Sequence, residues 1–224
     1  MPIGFRIRKR ERSVDPQWIK RFCELPVANV SDTMSRMTAG GARLRPMHAC
    51  GGMVGSALTV KTRPGDNLMI HKAIDMAVAG DVIAVDGGGD LTNSLIGEIM
   101  LSLAIKKGVA GFVLDGAIRD ADAFVERNLP VYAAGISHRG PYKDGPGEIN
   151  VPIAIDGMVI EAGDLMLADC DGTLCVPFAE VEKVCIATEA KKAAEAVQLA
   201  EIEADIIDRS WVDDRLERLG CELP

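Results

Sequence analysis

The sequence has few aromatic residues, no long hydrophobic run and no excess of basic charge. Phe, Trp and Tyr make up 4% of the 224 residues, whereas 48% are hydrophobic. The core must therefore be built from aliphatic side chains, which suits layered α/β packing. No segment is long enough to span a bilayer. The formal net charge of -8 argues against nucleic acid or an anionic membrane as the main partner, because both are negatively charged.

Disulfide and targeting signals are also missing. The six cysteines are scattered without CxxC spacing, and no secretory context accompanies them. We expect them to be reduced and mostly buried, and the protein to be soluble and cytoplasmic. No apolar segment of signal-peptide length follows the basic cluster Arg6–Arg12, so we interpret this cluster as a solvated arm.

One helix and one strand organise the middle of the chain. The segment from Ile96 to Lys107 predicts a helix that ends at Gly108, with its apolar positions on one face. These positions are Ile96, Ile99, Met100, Leu103 and Ala104. The short apolar run Ala110–Asp115 is typical of a strand buried on both faces. Arg119 and Asp120 then lie on the loop at its carboxyl end, where open α/β sheets bind ligands. A guanidinium and a carboxylate there could hold an anion and a metal side by side.

Each of these two residues has an alternative interpretation. Asp120 precedes a short helix and could cap that helix by accepting its free N–H groups. Arg119 could be an ordinary exposed loop arginine.

The surrounding segments predict consecutive βαβ crossovers, because strand-like and helix-like runs alternate. These runs are 53–62, 66–80, 81–86, 96–107, 110–115 and 129–134. The glycines 87–89 match neither GxGxxG nor GxxxxGK[ST], so a nucleotide site is disfavoured. They could instead let an anion approach the N–H groups that follow Gly97. That site requires the helix to begin near Gly97, whereas Thr92 or Asn93 could cap an earlier start.

The C-terminal half differs in composition and in its predicted elements. A long Gly- and Pro-punctuated loop carries Arg139 and Lys143, and long structured loops usually carry function. Hairpin signals follow over residues 150–176, with turns predicted at Asp156–Gly157 and Gly163–Asp164. The last region, from Ala179, has apolar positions too sparse to bury a full face, so we expect part of it to lie against a neighbouring subunit. His71 lies inside a predicted helix, and we expect it to be structural.

Taken together, these motifs resemble the RraA-like family, which includes 4-hydroxy-4-methyl-2-oxoglutarate and 4-carboxy-4-hydroxy-2-oxoadipate aldolases. The motifs are Val85-Asp-Gly-Gly-Gly-Asp90, Gly97-Glu98, Val113-Leu-Asp-Gly-Ala-Ile-Arg-Asp120, Gly135-Ile-Ser-His-Arg-Gly140 and Glu161-Ala-Gly-Asp164. The aldolase branch is marked by an acidic residue, a spacer and Arg-Asp, matched here by Glu98, Arg119 and Asp120. The first acid is usually Asp in the family, and this chain has Glu.

The resemblance implies a class II aldolase that uses Mg²⁺ or Mn²⁺ and cleaves a small 2-oxo acid to pyruvate, with oxaloacetate decarboxylation as a side activity. Asp120 is expected to bind the metal and Glu98 to orient a metal-bound water. Arg119 is expected to bind the substrate and stabilise the enolate, with help from the backbone N–H groups of Gly97, Glu98, Ile99 and Met100.

The resemblance also implies an α/β fold of the swivelling β/β/α type, with parallel βαβ units and a hairpin-rich C-terminal half. We expect a catalytic domain with an N-terminal helical arm over 1–178, and a C-terminal helical extension over 179–224. The expected assembly is a homotrimer or a dimer of trimers, with Glu195, or alternatively Glu189, reaching the neighbour's site. A non-catalytic protein that regulates an RNA-degrading endonuclease is the alternative. A methyltransferase is disfavoured because no S-adenosylmethionine-binding glycine motif is present.

Overall fold

The computed structural model describes residues 3–38, 40 and 43–222. Its helices are α1 Pro16–Phe22, α2 Val27–Thr33, α3 Leu68–Met76, α4 Glu98–Lys107, α5 Ala121–Arg127, α6 Val181–Glu203 and α7 Trp211–Arg218. Its strands are β1 Phe5–Ile7, β2 Arg45–Pro46, β3 Met53–Thr62, β4 Asp81–Asp86, β5 Ser94–Ile96, β6 Gly111–Ile118, β7 Val131–Ile136, β8 Gly147–Ile149, β9 Ile153–Ile155, β10 Met158–Ile160, β11 Leu165–Asp169 and β12 Gly172–Val176.

One large mixed sheet forms the centre of the molecule, with the strand order β1-β8-β3-β4-β6-β7-β2. Strands β3, β4, β6 and β7 pair in parallel. Helices α3, α4 and α5 lie between successive strands of this set. The predicted βαβ crossovers and the α/β fold class are therefore confirmed, because parallel neighbours require such connections.

The sheet separates two apolar layers. On one face, aliphatic side chains of β3, β4, β6 and β7 pack against α3, α4 and α5. On the other face, the same strands pack against the hairpin β9–β10 and against β11 and β12. The predicted hairpin at Asp156–Gly157 is confirmed, since β9 and β10 pair antiparallel. The Gly163–Asp164 turn does not form a hairpin, because β11 pairs with β12 and β3 instead.

Helix α4 follows the prediction at its C-terminus and departs from it at its start and on its face. Gly108 ends it in the left-handed conformation, with φ 75°, as a residue without a β-carbon readily does. Ile96 belongs to β5 instead of the helix. Ile99 is 74% exposed and Leu103 46% exposed, so the predicted buried face was wrong at both positions. Leu101 is buried in their place.

The N-terminal basic segment is not a solvated arm. Residues 5–7 form β1, which pairs in parallel with β8. Arg10 forms an ion pair with the buried carboxylate of Asp81 at 2.6 Å. Arg12 lies 3.0 Å from Asp164. The prediction failed here because every partner is distant in sequence, and a run of charges alone does not reveal them.

The C-terminal region divides from the rest of the chain within α6, between Thr188 and Glu189. The first turns of α6 bury Val181, Val184 and Cys185 against α1, α2, β11 and β12. The expected domain boundary at 178/179 stays a prediction.

Among the described residues, no helix is both long and apolar enough to cross a membrane. The expectation that most cysteines are buried was wrong, because only Cys175 and Cys185 are buried.

Candidate active site

The central feature of the candidate site is the contact between the loop after β6 and the first residues of α4. The carboxylate Oδ2 of Asp120 accepts a hydrogen bond from the N–H of Glu98 at 3.0 Å. The same oxygen lies 3.6 Å from Nε of Arg119. The loop itself is fixed to β5, since the N–H of Arg119 donates to the Ile96 carbonyl at 3.0 Å. Arg119 and Asp120 therefore meet the start of α4.

Gly97 makes this close approach possible. A β-carbon at this position would lie 2.5 Å from Oδ2 of Asp120 and 2.9 Å from Cγ of Arg119. The backbone of Gly97 is extended, with φ -143°, so conformation alone does not require glycine here. The requirement is for space beside the two functional side chains.

Asp120 does not cap its own helix with its side chain. It occupies the position before α5 in the left-handed conformation, with φ 56°, and makes no capping hydrogen bond to that helix. Instead its carboxylate caps α4, where a negative charge is stabilised by the helix N-terminus. A left-handed conformation is uncommon for a residue with a β-carbon and tends to occur at functional sites.

Helix α4 starts where an anion site requires it to start. Its first helical hydrogen bond runs from the Leu101 N–H to the Gly97 carbonyl at 3.0 Å. The helix ladder therefore leaves the N–H groups of Ile99 and Met100 unused, as at any helix N-terminus. The alternative of an earlier start at Thr92 or Asn93 is excluded, because Ser94 to Ile96 form β5.

A cleft of about 270 Å³ opens beside these groups. Its lining residues are Asn67, His71, Leu95, Ile96, Gly97, Ile99, Met100, Arg119, Gly140, Pro141 and Lys143. A larger cavity of about 360 Å³ lies between the α1–α2 connection and β11, but its charged lining residues are Glu24 and Asp169. Only the smaller of these two cavities combines cationic side chains with free helix N–H groups, so it suits an anionic ligand.

The loop between β7 and β8 forms the second wall of the cleft and brings Lys143 to it. The fully buried carboxylate of Asp66 accepts the N–H groups of Asp144 and Gly145, both at 2.8 Å. The N–H of Ser94 donates to the Arg139 carbonyl at 2.8 Å. Lys143 lines the cleft, whereas the exposed side chain of Arg139 is not part of the lining.

The sequence prediction left His71 out of the site, and the structure places His71 on the wall of the cleft. It lies on α3 and lines the cleft together with Lys143. Burial, and then the charge of Lys143, lower the pKa of His71 below its usual value of 6.5, although Asp75 acts in the opposite direction. The signal for His71 is its position in the chain, because helices that follow parallel strands begin at the carboxyl edge of the sheet, where ligands bind.

Glu98 has a second partner that the sequence did not reveal. Its carboxylate Oε1 lies 2.6 Å from Nη2 of Arg127 on α5. Both side chains are close to half exposed, and such pairs contribute little to stability. The pair directs the Glu98 carboxylate towards α5.

The predicted partner residue lies in the C-terminal unit. Glu195 is on α6 and forms an ion pair with Lys191 at 2.9 Å. Glu189, the alternative, lies on the same helix at the beginning of that unit. Whether either residue reaches a neighbouring subunit stays a prediction.

The donor set at the site is compatible with a hard divalent cation. Asp120 has one carboxylate oxygen bonded to the Glu98 N–H. In the part of the chain that the structure describes, its other oxygen contacts no donor. Mg²⁺ is commonly bound through one or two carboxylates while keeping several waters. The one cluster of metal-ligating side chains found among the described residues is Asp169, Cys170 and Asp171, on the β11–β12 turn. It is away from the cleft.

Comparison with known proteins identifies the relatives of this chain. Residues 27–175 match the model of the RraA-like family, described as Aldolase/RraA. A protein of Halalkalibacterium halodurans, provisionally named 4-hydroxy-4-methyl-2-oxoglutarate aldolase, is 38% identical over 79% of this chain and 84% of its own length. A Thermus thermophilus protein with the same name, without the provisional qualifier, is 38% identical over 50% of this chain and 68% of its own.

Solved structures show the same fold. An uncharacterised protein from Pseudomonas syringae has a TM-score of 0.77 and 26% identity, covering 86% of this chain and 94% of its own. The RNA-processing inhibitor RraA from Thermus thermophilis has a TM-score of 0.64 and 30% identity, covering 69% and 93%. By sequence and by fold, the chain belongs to the RraA-like family.

Proposed function

We propose that this protein is a divalent-metal-dependent aldolase that cleaves a 4-hydroxy-2-oxo dicarboxylic acid into pyruvate and a second 2-oxo acid. The observation that carries the proposal is a cleft lined by Arg119 and the free N–H groups of α4, with the Asp120 carboxylate in contact with Arg119 and with the N-terminus of that helix. The names of the relatives support the same reaction class.

The reaction needs stabilisation of one negative charge. A base removes the proton of the 4-hydroxyl group, the C3–C4 bond breaks, and carbon 4 becomes a carbonyl. The electron pair of that bond forms the enolate of pyruvate, which then takes a proton at carbon 3. The developing charge lies on the 2-keto oxygen, so a catalyst must place positive groups there before the bond breaks.

Arg119 is the residue suited to that oxygen. Its guanidinium lines the cleft and lies within 3.6 Å of Asp120 through Nε. Arginine presents several donors in a planar fork and can bind a carboxylate and a neighbouring oxygen together. The N–H groups of Ile99 and Met100 add donors for the 1-carboxylate, because the helix ladder leaves them free.

Asp120 would hold the Mg²⁺ or Mn²⁺ ion, with waters completing the coordination shell. When bound, the ion supplies Lewis-acid stabilisation of the same developing charge. Glu98 would accept a hydrogen bond from a metal-bound water; its backbone N–H contacts Asp120, and its carboxylate pairs with Arg127.

Lys143 suits the second carboxylate of the substrate. It lines the cleft on the loop opposite the α4 N-terminus and has no ion-pair partner among the described residues. A cation at each side of one cleft favours a dicarboxylic acid over a monocarboxylic one. Oxaloacetate fits the same charge pattern, and its decarboxylation forms the same enolate.

The active unit in this proposal is a homotrimer or a dimer of trimers, with Glu195 of one subunit acting at the site of the next. Exposed apolar side chains on α4 and α5 support an interface beside the site. Ile99 is 74% exposed and Val125 52% exposed. Mixing Asp120→Ala subunits with Glu195→Ala subunits tests it, because a shared site regains part of its activity in mixed oligomers. Recovery of no activity would contradict a shared site.

Measurement of pyruvate release from 4-hydroxy-4-methyl-2-oxoglutarate and from oxaloacetate, with Mg²⁺ and with excess chelator, tests the proposal. We expect turnover with metal and its loss with chelator.

The alternative function is regulation of an RNA-degrading endonuclease by binding, which the RNA-processing inhibitor among the related structures suggests. Absence of turnover of both substrates, together with binding to such an endonuclease, would favour this alternative.

A further inference from the structure

The N-terminal arm contacts the segment that follows the Lys143 loop. Strand β1 pairs with β8, with Phe5 opposite Gly147. The N–H of Arg8 donates to the Ile149 carbonyl at 3.0 Å. Strand β8 has three residues and lies between β3 and β1. Without the arm, β8 would be an edge strand with unpaired backbone groups, which weakens its hold on the preceding loop.

Phe5 lies where the loop that carries Lys143 meets the helix that carries His71. A β-carbon on Gly145 would lie 3.4 Å from Cε2 of Phe5 and 3.7 Å from Cδ2 of Leu68. Gly145 is two residues after Lys143, and Leu68 begins the helix that carries His71. The Phe5 ring therefore lies beside Gly145 and near Leu68, and it does not line the cleft.

Two buried carboxylates attach the arm to the domain. Arg6 Nε lies 2.5 Å from Oε1 of Glu148, which is 8% exposed. Arg10 pairs at 2.6 Å with Asp81, which is 2% exposed. Buried carboxylates need a compensating charge, so these arginines give the arm a defined register along β8 and β4.

We propose that Phe5 and Arg6 are positioning residues for the substrate cleft. They hold Gly145 and β8 in place, and thereby fix Lys143 where it meets the second carboxylate, although neither touches the substrate. The arm lies outside residues 27–175, the part matched by the family model. The positional part of this inference stands on the contacts above, and only the identity of the ligand rests on the proposed function.

Hydrogen exchange of the backbone amides of residues 142–149 tests the positional part directly. We expect faster exchange there in Phe5→Ala and in Arg6→Glu. The double variant Arg6→Glu/Glu148→Arg restores an ion pair of opposite polarity and should restore slow exchange. Arg12→Gln is the matched control, because it removes arm ion pairs to Glu161 and Asp164, neither of which belongs to β8 or to the Lys143 loop, and it should leave this segment unchanged.

Steady-state kinetics with 4-hydroxy-4-methyl-2-oxoglutarate test the consequence. In Phe5→Ala and Arg6→Glu we expect KM to rise about tenfold with kcat within about twofold, the pattern of lost uniform binding. Phe5→Leu keeps an apolar contact and should remain close to the wild type. If Arg6→Glu fails to fold, Phe5→Ala decides, because that side chain is 49% exposed and its loss is tolerable to the core.

Two results would overturn the inference. One is free exchange of the amides of residues 6–8 together with wild-type exchange of residues 142–149, which would mean that the arm covers the edge of β8 without positioning the loop. The other is unchanged KM with faster exchange, which would separate loop position from substrate affinity. If the wild type shows no aldolase activity, the proposed function fails, and the exchange data still decide whether the arm positions the loop.

Discussion

The carboxylate of Asp120 accepts the N–H of Glu98, at the start of a helix that Asp120 does not belong to. This contact gives Asp120 two separable roles, as a helix cap and as the proposed metal ligand. Asp120→Asn keeps an acceptor for the Glu98 N–H and suits the left-handed backbone, since Asn tolerates that conformation. We expect it to retain the melting temperature and to lose metal affinity by calorimetry.

Asp120→Ala removes both roles and serves as the comparison. It should lose metal affinity and also about 1 kcal/mol of stability, the usual loss for a removed cap. If Asp120→Asn bound metal and turned over substrate as the wild type does, the assignment of Asp120 as the metal ligand would be wrong.

Gly97→Ala tests the close approach at the site. The new β-carbon would lie 2.5 Å from Oδ2 of Asp120 and 3.0 Å from Nε of Arg119, so both side chains must move. A displacement of this kind can lower the rate about a hundredfold even where the fold is retained. The backbone at Gly97 is compatible with alanine, so circular dichroism should show a folded protein. Wild-type kcat in this variant would contradict the geometry.

Lys143→Met separates recognition of the second carboxylate from the chemistry. We expect KM for 4-hydroxy-4-methyl-2-oxoglutarate to rise about tenfold, as for loss of a ground-state contact. Inhibition by oxalate, a planar analogue of the pyruvate enolate, should change less than this, because oxalate lacks the second carboxylate that Lys143 is proposed to bind. Arg139→Met is the control, since Arg139 does not line the cleft. An equal rise in KM in Lys143→Met and in Arg139→Met would refute a specific role for Lys143.

The lowered pKa of His71 predicts a pH dependence of anion binding. Because this pKa lies below 6.5, the imidazole is neutral at neutral pH and gains a positive charge only as the pH falls further. Affinity for oxalate, which remains a dianion over this range, should therefore increase as the pH drops below 6.5. Calorimetric titrations of the wild type and His71→Asn check this. A pH dependence retained in His71→Asn would assign it to another group.

The same shift has a consequence for stability. Between the lowered pKa of the folded state and the value of 6.5 in the unfolded chain, the unfolded state binds more protons. Stability contributed by neutral His71 is therefore present above 6.5 and is lost as the pH falls through the lowered pKa. When the pH is lowered into mild acid, the melting temperature of His71→Asn should therefore fall less than that of the wild type.

Local sequence patterns were sufficient to locate Arg119 and Asp120. The glycine that ends α4 and the apolar run of β6 depend on neighbouring residues, so the loop after β6 could be placed at the carboxyl end of the strand. The cap of α1 is equally local, since Asp15 accepts the N–H of Gln17 at 2.8 Å.

Long-range packing explains what the sequence did not show. Arg10 pairs with a residue 71 positions away, and Arg6 with Glu148 near the middle of the β8 strand. No local pattern distinguishes such arginines from solvated ones. His71 was missed because helical periodicity reports which face is buried, and it does not report that a loop of much later residues forms a cleft there. The exposed Ile99 and Leu103 likewise depend on what α4 packs against.

Exchange of the methyl protons of pyruvate with D₂O, followed by proton NMR, tests the central claim most directly, because it reports formation of the enolate at this site. With Mg²⁺ the wild type should wash out the methyl signal, and chelator should stop the exchange. Arg119→Ala should slow it by about a hundredfold or more, as for loss of a charge-stabilising donor, and Asp120→Asn should abolish its dependence on metal. Exchange that is absent from the wild type with Mg²⁺, or that is unaffected by Arg119→Ala, would contradict the account.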